Sequence, residues 1–212
     1  MNKELEKYIE TIVIPKYTEF DKGHGVEHVR DVIRESLNLA EKYGVNLEYA
    51  YVIAAYHDLG LCEGRELHHI VSGKILESDI QLRQWFLREE IKIMKEAVED
   101  HRASSKNSPR SIYGKIVAEA DRDIVPLKII KRTIQYSMKN TPSSDKEIHW
   151  EHLVEHMKEK YAGGGYMKLW LEDSKNAEPL NELRQIIADK NKLRIIFEDL
   201  YSKELSEQYP VP

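Results

Sequence analysis

Apolar residues in this sequence return every three or four positions, and that spacing constrains the chain more than any other feature, because it lines one face of an α-helix. Val26, Val29, Ile33, Leu37 and Ala40 follow it, as do Leu47, Ala50, Tyr51 and Ala54. Further helical patterns run from Leu67 to Leu76, Ile91 to Val98, Ile112 to Ile124 and Leu127 to Met138, and strand signals are nearly absent. Turn-forming stretches separate these patterns: "DKGHG", "KYGVN", "GLCEG", "SSKNSPR", "NTPSSD" and "YAGGGY". The segment "AEPLNELRQIIADKNKLRIIFEDLYSKEL" predicts one long closing helix with Leu183, Ile186, Leu193, Phe197 and Leu200 facing inward. No repeat of fixed period appears, which argues against a solenoid. The expectation is an all-α bundle, with residues 1–212 as a single domain.

Composition narrows what such a bundle can do. A chain of 212 residues with 41% hydrophobic side chains can bury a sizeable core. A net charge of −5 and a pI near 6.0 speak against a nucleic-acid polymer as partner. The apolar runs are too short to span a bilayer and "MNKELEKYIE" is too polar for a secretory signal, so no membrane partner and a cytoplasmic location are expected. Cys62 has no second cysteine to pair with and is expected to be a half-buried free thiol. Oligomeric state is left open, a homodimer included.

Three of the apolar stripes end on residues that ligate metals. Leu47, Ala50, Tyr51 and Ala54 extrapolate to His57 and Asp58; Ile91, Met94 and Val98 to His101; and Val117 and Ala120 share a face with Asp121. His28 lies at the edge of the stripe containing Val29. A lone buried histidine is usually a satisfied core residue, but carboxylates and imidazoles from several helices facing one interior need a compensating cation. A divalent ion supplies it. Imidazole with carboxylate suits Mn, Fe, Co, Ni or Zn, with Mg also admissible, and no thiolate is on offer.

The order His28 in "GHGVEHVRDV", His57-Asp58 in "AAYHDLG" and Asp121 in "AEADRD" resembles the H…HD…D signature of the HD-domain metal-dependent phosphohydrolases. The flanking glycine, the leucine-glycine turn and the alanine before the last aspartate agree with it too. The resemblance covers roughly residues 20–125. It implies an HD-domain-like helical core there, a C-terminal helical extension over about 126–212, and one metal held by His28, His57, Asp58 and Asp121. Binuclear members add two histidines between the doublet and the last aspartate. "LHHIVSGKIL" offers His69 and "VEDHRAS" offers His101, with Asp58 then bridging two metals; spacing alone does not separate His69 from its neighbour His68.

The chemistry that follows is hydrolysis of a phosphate ester or anhydride, since a divalent ion acidifies water and neutralises charge on a phosphoryl oxygen. The expected substrate is a nucleotide or a similar small phosphorylated metabolite. Asp58 would orient or deprotonate the water, and His24, a helical turn before His28, is a candidate polar contact at the mouth. Arg65, Arg102, Lys115 and Arg122 lie near proposed ligands and are candidates for phosphate contact, although in a chain that is 33% charged the ordinary reading of each is a solvated surface charge. Lys106 and Arg110 sit in a loop placed to close over substrate.

Two stretches compete with this reading. In "HWEHLVEHMKEKY", His149, His152 and His156 share a helical face and are expected to form a partly exposed face beside the pocket rather than a second metal site. Gly163, Gly164 and Gly165 fit neither phosphate-binding fingerprint, so a helix break is expected, with Tyr166 and Trp170 available to stack on a base. Two other functions share the ligand types: a diiron oxygenase, since the myo-inositol oxygenase branch uses a similar ligand order, and a non-catalytic nucleotide sensor.

Overall fold

Most helices begin where a short polar side chain or a proline can deal with the orphan amides of the first turn. The computed structural model describes residues 1–21, 23–102, 107–141, 143 and 145–208. Asn2 Oδ1 accepts from the amides of Glu4 and Leu5 and opens α1 (Lys3–Tyr8). A π-helical turn (Ile9–Val13) and a 3₁₀ helix (Ile14–Glu19) continue it. α2 (Val26–Lys42) ends at Gly44, whose φ of +62° is left-handed and suits glycine. Asn46 Oδ1 then caps α3 (Leu47–Tyr56). A 3₁₀ turn (Leu59–Glu63) leads to α4 (His68–Ser78), and α5 (Arg88–Asp100) and α6 (Ile112–Asp121) follow. α7 (Pro126–Asn140) starts on its proline and α8 (Lys146–Lys160) on an Asp145 cap, before α9 (Ala177–Ala188) and α10 (Lys190–Gln208). Among the described residues there is no strand, so the all-α expectation holds.

The chain divides into two compact units, Met1–Arg122 and Asp123–Pro212. In the first, α3 packs against α2, α4, α5 and α6. The sequence pattern marks one apolar stripe on α3, yet every residue from Ala50 to Tyr56 is buried, as befits a helix enclosed by neighbours. Leu5, Ile9, Val13 and Tyr17 from the N-terminal segment join the same core. α4 approaches closely because its facing residues are small. Gly60 donates its amide to Ser72 Oγ at 2.8 Å, and a Cβ on Gly60 would stand 2.1 Å from the His68 carbonyl oxygen.

In the second unit Trp150, Leu153, Met157, Leu180, Leu183, Ile186, Leu193 and Phe197 form the core. The expected single closing helix is two. Asp189, with φ −91° and ψ 92°, interrupts it, and its carboxylate accepts from the amides of Asn191 and Lys192 to start α10. The helical pattern to Ile124 also stops early, at Asp121, where the backbone turns extended at Arg122, with φ −74° and ψ 134°.

Cys62 is exposed on the 3₁₀ turn rather than half-buried. His149 is a buried core residue, its Nδ1 on Ser137 Oγ at 2.9 Å and its Nε2 on the Ser143 carbonyl at 3.1 Å. His152 Nδ1 reaches the same Ser137 Oγ at 3.0 Å, and His156 packs its ring edge on Tyr161, so these three do not form the continuous partly exposed face expected of them. Gly165 folds back against the end of α8, where a Cβ would meet the Lys160 carbonyl at 2.6 Å. Among the described residues, no helix is long and apolar enough to cross a membrane.

Candidate metal centre

Helix ends of the first unit converge on one cluster. His57 is the C-cap of α3 and His101 the C-cap of α5, and Asp121 is the last residue of α6. Helix C-termini carry partial negative charge, so three of them meeting favour a cation. His28 sits in the first turn of α2 and His68 opens α4. His57 is fully enclosed and Asp58 is 3% exposed, while the Asp121 and His28 side chains remain about one-fifth exposed, at 22% and 21%.

The donor atoms sort into two groups. In the first, His28 Nε2 lies 3.1 Å from Asp121 Oδ1, 3.3 Å from His57 Nε2 and 3.7 Å from Asp58 Oδ2, and His57 Nε2 lies 3.3 Å from Asp58 Oδ2. In the second, Asp58 Oδ1 lies 3.4 Å from His101 Nε2 and 3.5 Å from His68 Nε2, with the two imidazole nitrogens 3.1 Å apart. Adjacent ligands around an ion with bonds of 2.0–2.2 Å stand about 3.0–3.5 Å apart, which these separations approach. Asp58 gives one oxygen to each group.

Hydrogen bonds on the far side of the rings decide what the near side offers. The Nδ1–H groups of His57, His68 and His101 donate to the carbonyls of Ala54, Arg65 and Val98, at 2.7, 2.8 and 2.6 Å. A carbonyl only accepts, so each Nδ1 carries the proton and each Nε2 turns toward the cluster. Burial lowers the pKa of His68 and keeps it neutral, which leaves a bare Nε2 lone pair facing His101 and an aspartate oxygen. Burial opposes ionisation of Asp58, but His57, His101 and His28 outweigh it and hold the carboxyl well below the usual range; burial and the imidazoles act on Asp121 in the same two directions. The bare His68 Nε2 and the Asp58 oxygen facing it repel one another unless a positive charge lies between them, and the donor set of imidazole and carboxylate suits a divalent metal.

The structure thus brings together His28, His57, Asp58, His101 and Asp121, and it takes His68 where the sequence reading took His69. Successive helical residues project about 100° apart, so only one of the pair can face Asp58. His69 edges against the His68 ring, and its Nδ1 is buried with no hydrogen-bond partner among the described residues. Burial, with His101, His68 and Arg102 nearby, lowers its pKa to about 4. His68→Ala should therefore lower the manganese bound per chain under metal analysis, whereas His69→Ala should leave it unchanged; the reverse pattern would restore the sequence assignment.

The basic candidates separate in the same way. His24 lies on the rim with its ring edge on His28, and Asp21 accepts from both His24 Nδ1 at 3.0 Å and Arg65 Nη2 at 2.7 Å. Those bonds, that to His24 first, hold the Asp21 carboxyl down at about 2. Arg102 donates to the Glu66 carbonyl at 2.6 Å, close enough to His68 to disfavour its protonation. Arg122 departs from expectation: it is 6% exposed and pairs at 2.6 Å with buried Glu119, an interior ion pair rather than an open phosphate contact. Lys115 precedes Asp121 by six residues, about 9 Å along α6 and on another face, and among the described residues no contact ties it to the cluster. Arg110 is strapped to Asp100 and Glu99 at the end of α5 instead of standing free over the site, and Lys106 lies outside the described residues.

Sequence reasoning missed two residues here, Asp21 and Tyr17. Asp21 is an exposed loop carboxylate with no periodic pattern to mark it. Tyr17 is fully buried, and its hydroxyl accepts the Asp58 amide at 3.3 Å and donates to the Ala55 carbonyl at 3.0 Å. It reads in sequence as ordinary apolar core.

The HD domain family profile matches residues 25–124. The chain is similar to the solved structure of a predicted HD superfamily hydrolase from an uncultured Thermotogales bacterium, with a TM-score of 0.50 and 19% identity over 74% of this chain and 94% of that one. It is also similar to Bacillus subtilis YpgQ in complex with ADP, with a TM-score of 0.50 and 18% identity over 98% and 96% of the two chains. At such identities these two likenesses speak to the fold. No curated protein sequence matches this one significantly.

Proposed function

We propose that this chain, whose residues 25–124 match the HD domain family profile, is a metal-dependent phosphohydrolase acting on a nucleotide or a similar small phosphorylated metabolite. One observation carries this reading most: Asp58 presents Oδ2 to His28 and His57 and Oδ1 to His68 and His101, the arrangement of a carboxylate shared by two metal positions. Bound divalent ions would supply Lewis acidity toward phosphoryl oxygens and water acidified to near-neutral pH.

The chain's own residues would do the rest. His28, His57, Asp58 and Asp121 would hold the first ion, and Asp58, His68 and His101 the second. The carbonyls of Ala54, Arg65 and Val98 fix the tautomers that make those imidazoles ligands. The outer faces of His28 and Asp121 are the partly open side, where a phosphate would enter. Arg102 supplies a guanidinium beside the second group, and the Asp21, His24 and Arg65 network lines the rim near His28. The ADP complex of the structurally similar YpgQ supports a nucleotide as the class of ligand.

Arg102→Ala should raise the KM for a phosphate substrate by roughly 10- to 100-fold, the worth of a charge-assisted hydrogen bond, with metal content unchanged. Loss of metal in that variant would make Arg102 a structural residue. The function itself is tested by loading the protein with manganese and offering nucleoside mono-, di- and triphosphates, dinucleoside polyphosphates and simple phosphate esters. Metal-dependent release of a phosphate product without oxygen consumption is the expected result. A folded, metal-loaded protein that hydrolyses none of them would contradict the proposal, and oxygen uptake would favour an oxygenase.

A further inference from the structure

We infer that Tyr17, contributed by the N-terminal segment that precedes residues 25–124, is a positioning residue of the metal centre, its hydroxyl spanning the chain break between Ala55 and Asp58. The inference rests on the reading of the cluster as a metal site. α3 stops at Tyr56, so the carbonyls of its last turn have no amide ahead of them. Two are taken up by side chains of the site: Ala54 O accepts from His57 Nδ1 at 2.7 Å and Ala55 O from the Tyr17 hydroxyl at 3.0 Å. The same hydroxyl accepts the Asp58 amide at 3.3 Å. Carbonyl 55 and amide 58 would meet directly in an ordinary turn; here a phenol oxygen is inserted between them. The insertion widens the turn and sets where the Asp58 backbone lies.

That position matters because Asp58 divides its two oxygens between two groups of imidazoles, so a small rotation of its backbone moves both. The Tyr17 ring adds a second restraint. It stacks on the His57 ring at 6.3 Å between centroids and 28° between planes, while Phe20 meets this same Tyr17 ring edge-on at 5.5 Å and 81°. Tyr17 is fully buried, so this wall also keeps water from the back of His57. Tyr17 touches neither an open face of the cluster nor a substrate; it acts through His57 and Asp58.

Tyr17→Phe keeps the ring and removes the hydroxyl. Tyr56→Phe is the control: an equally enclosed tyrosine whose hydroxyl binds Asp79 at 2.5 Å and makes no contact with the cluster. Manganese affinity by competition with a chelator, and the visible absorption of the cobalt-loaded protein, are measured for parent and both variants, with the fold followed by circular dichroism. Tyr17→Phe should weaken manganese binding by roughly 10- to 100-fold, the usual cost of losing a group that orients a ligand, and should shift the cobalt bands; Tyr56→Phe should do neither. Unchanged affinity and spectrum in Tyr17→Phe overturn the inference, as does equal weakening in Tyr56→Phe. Hydrogen exchange of the Asp58 amide in the parent gives a reading free of variants: slow exchange is expected and free exchange overturns it. A parent that binds no manganese removes the metal reading itself, whereas a parent that binds while Tyr17→Phe binds equally well removes only the role of Tyr17.

Discussion

Asp58→Ala is expected to abolish high-affinity binding of both metal ions and, with it, all phosphate release. The side chain is the only one whose oxygens serve both imidazole groups among the described residues. Losing it removes one ligand from each group and a negative charge from among four imidazoles. Breaking a buried, hydrogen-bonded charge arrangement costs about 3–5 kcal/mol, or roughly 10²- to 10⁴-fold in affinity. His28→Ala should behave differently, since it touches the first group alone, and a protein retaining one weakly held ion is the expected outcome. Metal content after desalting and phosphate release under saturating manganese are the measurements. Full activity in Asp58→Ala would remove the carboxylate from the site.

Gly60→Ala is expected to have the second largest effect, although glycine at this place carries no chemistry. The added methyl would stand 2.1 Å from the His68 carbonyl oxygen, 2.6 Å from the Ser72 amide and 2.8 Å from Val71 Cβ. Two of those atoms are backbone, so no rotamer change relieves the clash; α4 itself has to move. We expect a loss of about 3 kcal/mol of stability, near the upper end for overpacking, which lowers Tm by roughly 6–12 °C for a domain of this size. Because α4 begins at His68, its displacement should also weaken the second ion while the first group, built on α2, α3 and α6, keeps its own. A variant with unchanged Tm and two ions per chain would show that α4 is free to shift.

The sequence exposed the part of this centre that periodicity can carry. His57, Asp58, His101 and Asp121 continue apolar stripes, and the structure ends α3, α5 and α6 on or beside those residues. His68 was not separable from His69, because neighbours on a helix differ in direction, and direction is set by how α4 docks through Gly60 and Ser72 rather than by α4's own pattern. Tyr17 was invisible for another reason: its value lies in one hydroxyl meeting backbone atoms 38 and 41 residues away, and its type is indistinguishable from core. Arg122 shows the opposite error, in which adjacency to Asp121 suggested substrate contact while extended backbone turned the guanidinium inward to Glu119. The break at Asp189 hid within an otherwise continuous stripe because the apolar spacing carries across it.

The most direct test of the account is a crystal structure of the manganese-loaded protein with anomalous scattering recorded at the metal edge. Two peaks should flank the Asp58 carboxylate, about 3.5–4 Å apart as in other two-metal sites, one bounded by His28, His57 and Asp121 and the other by His68 and His101. Peaks elsewhere, or a cluster without any, would contradict it.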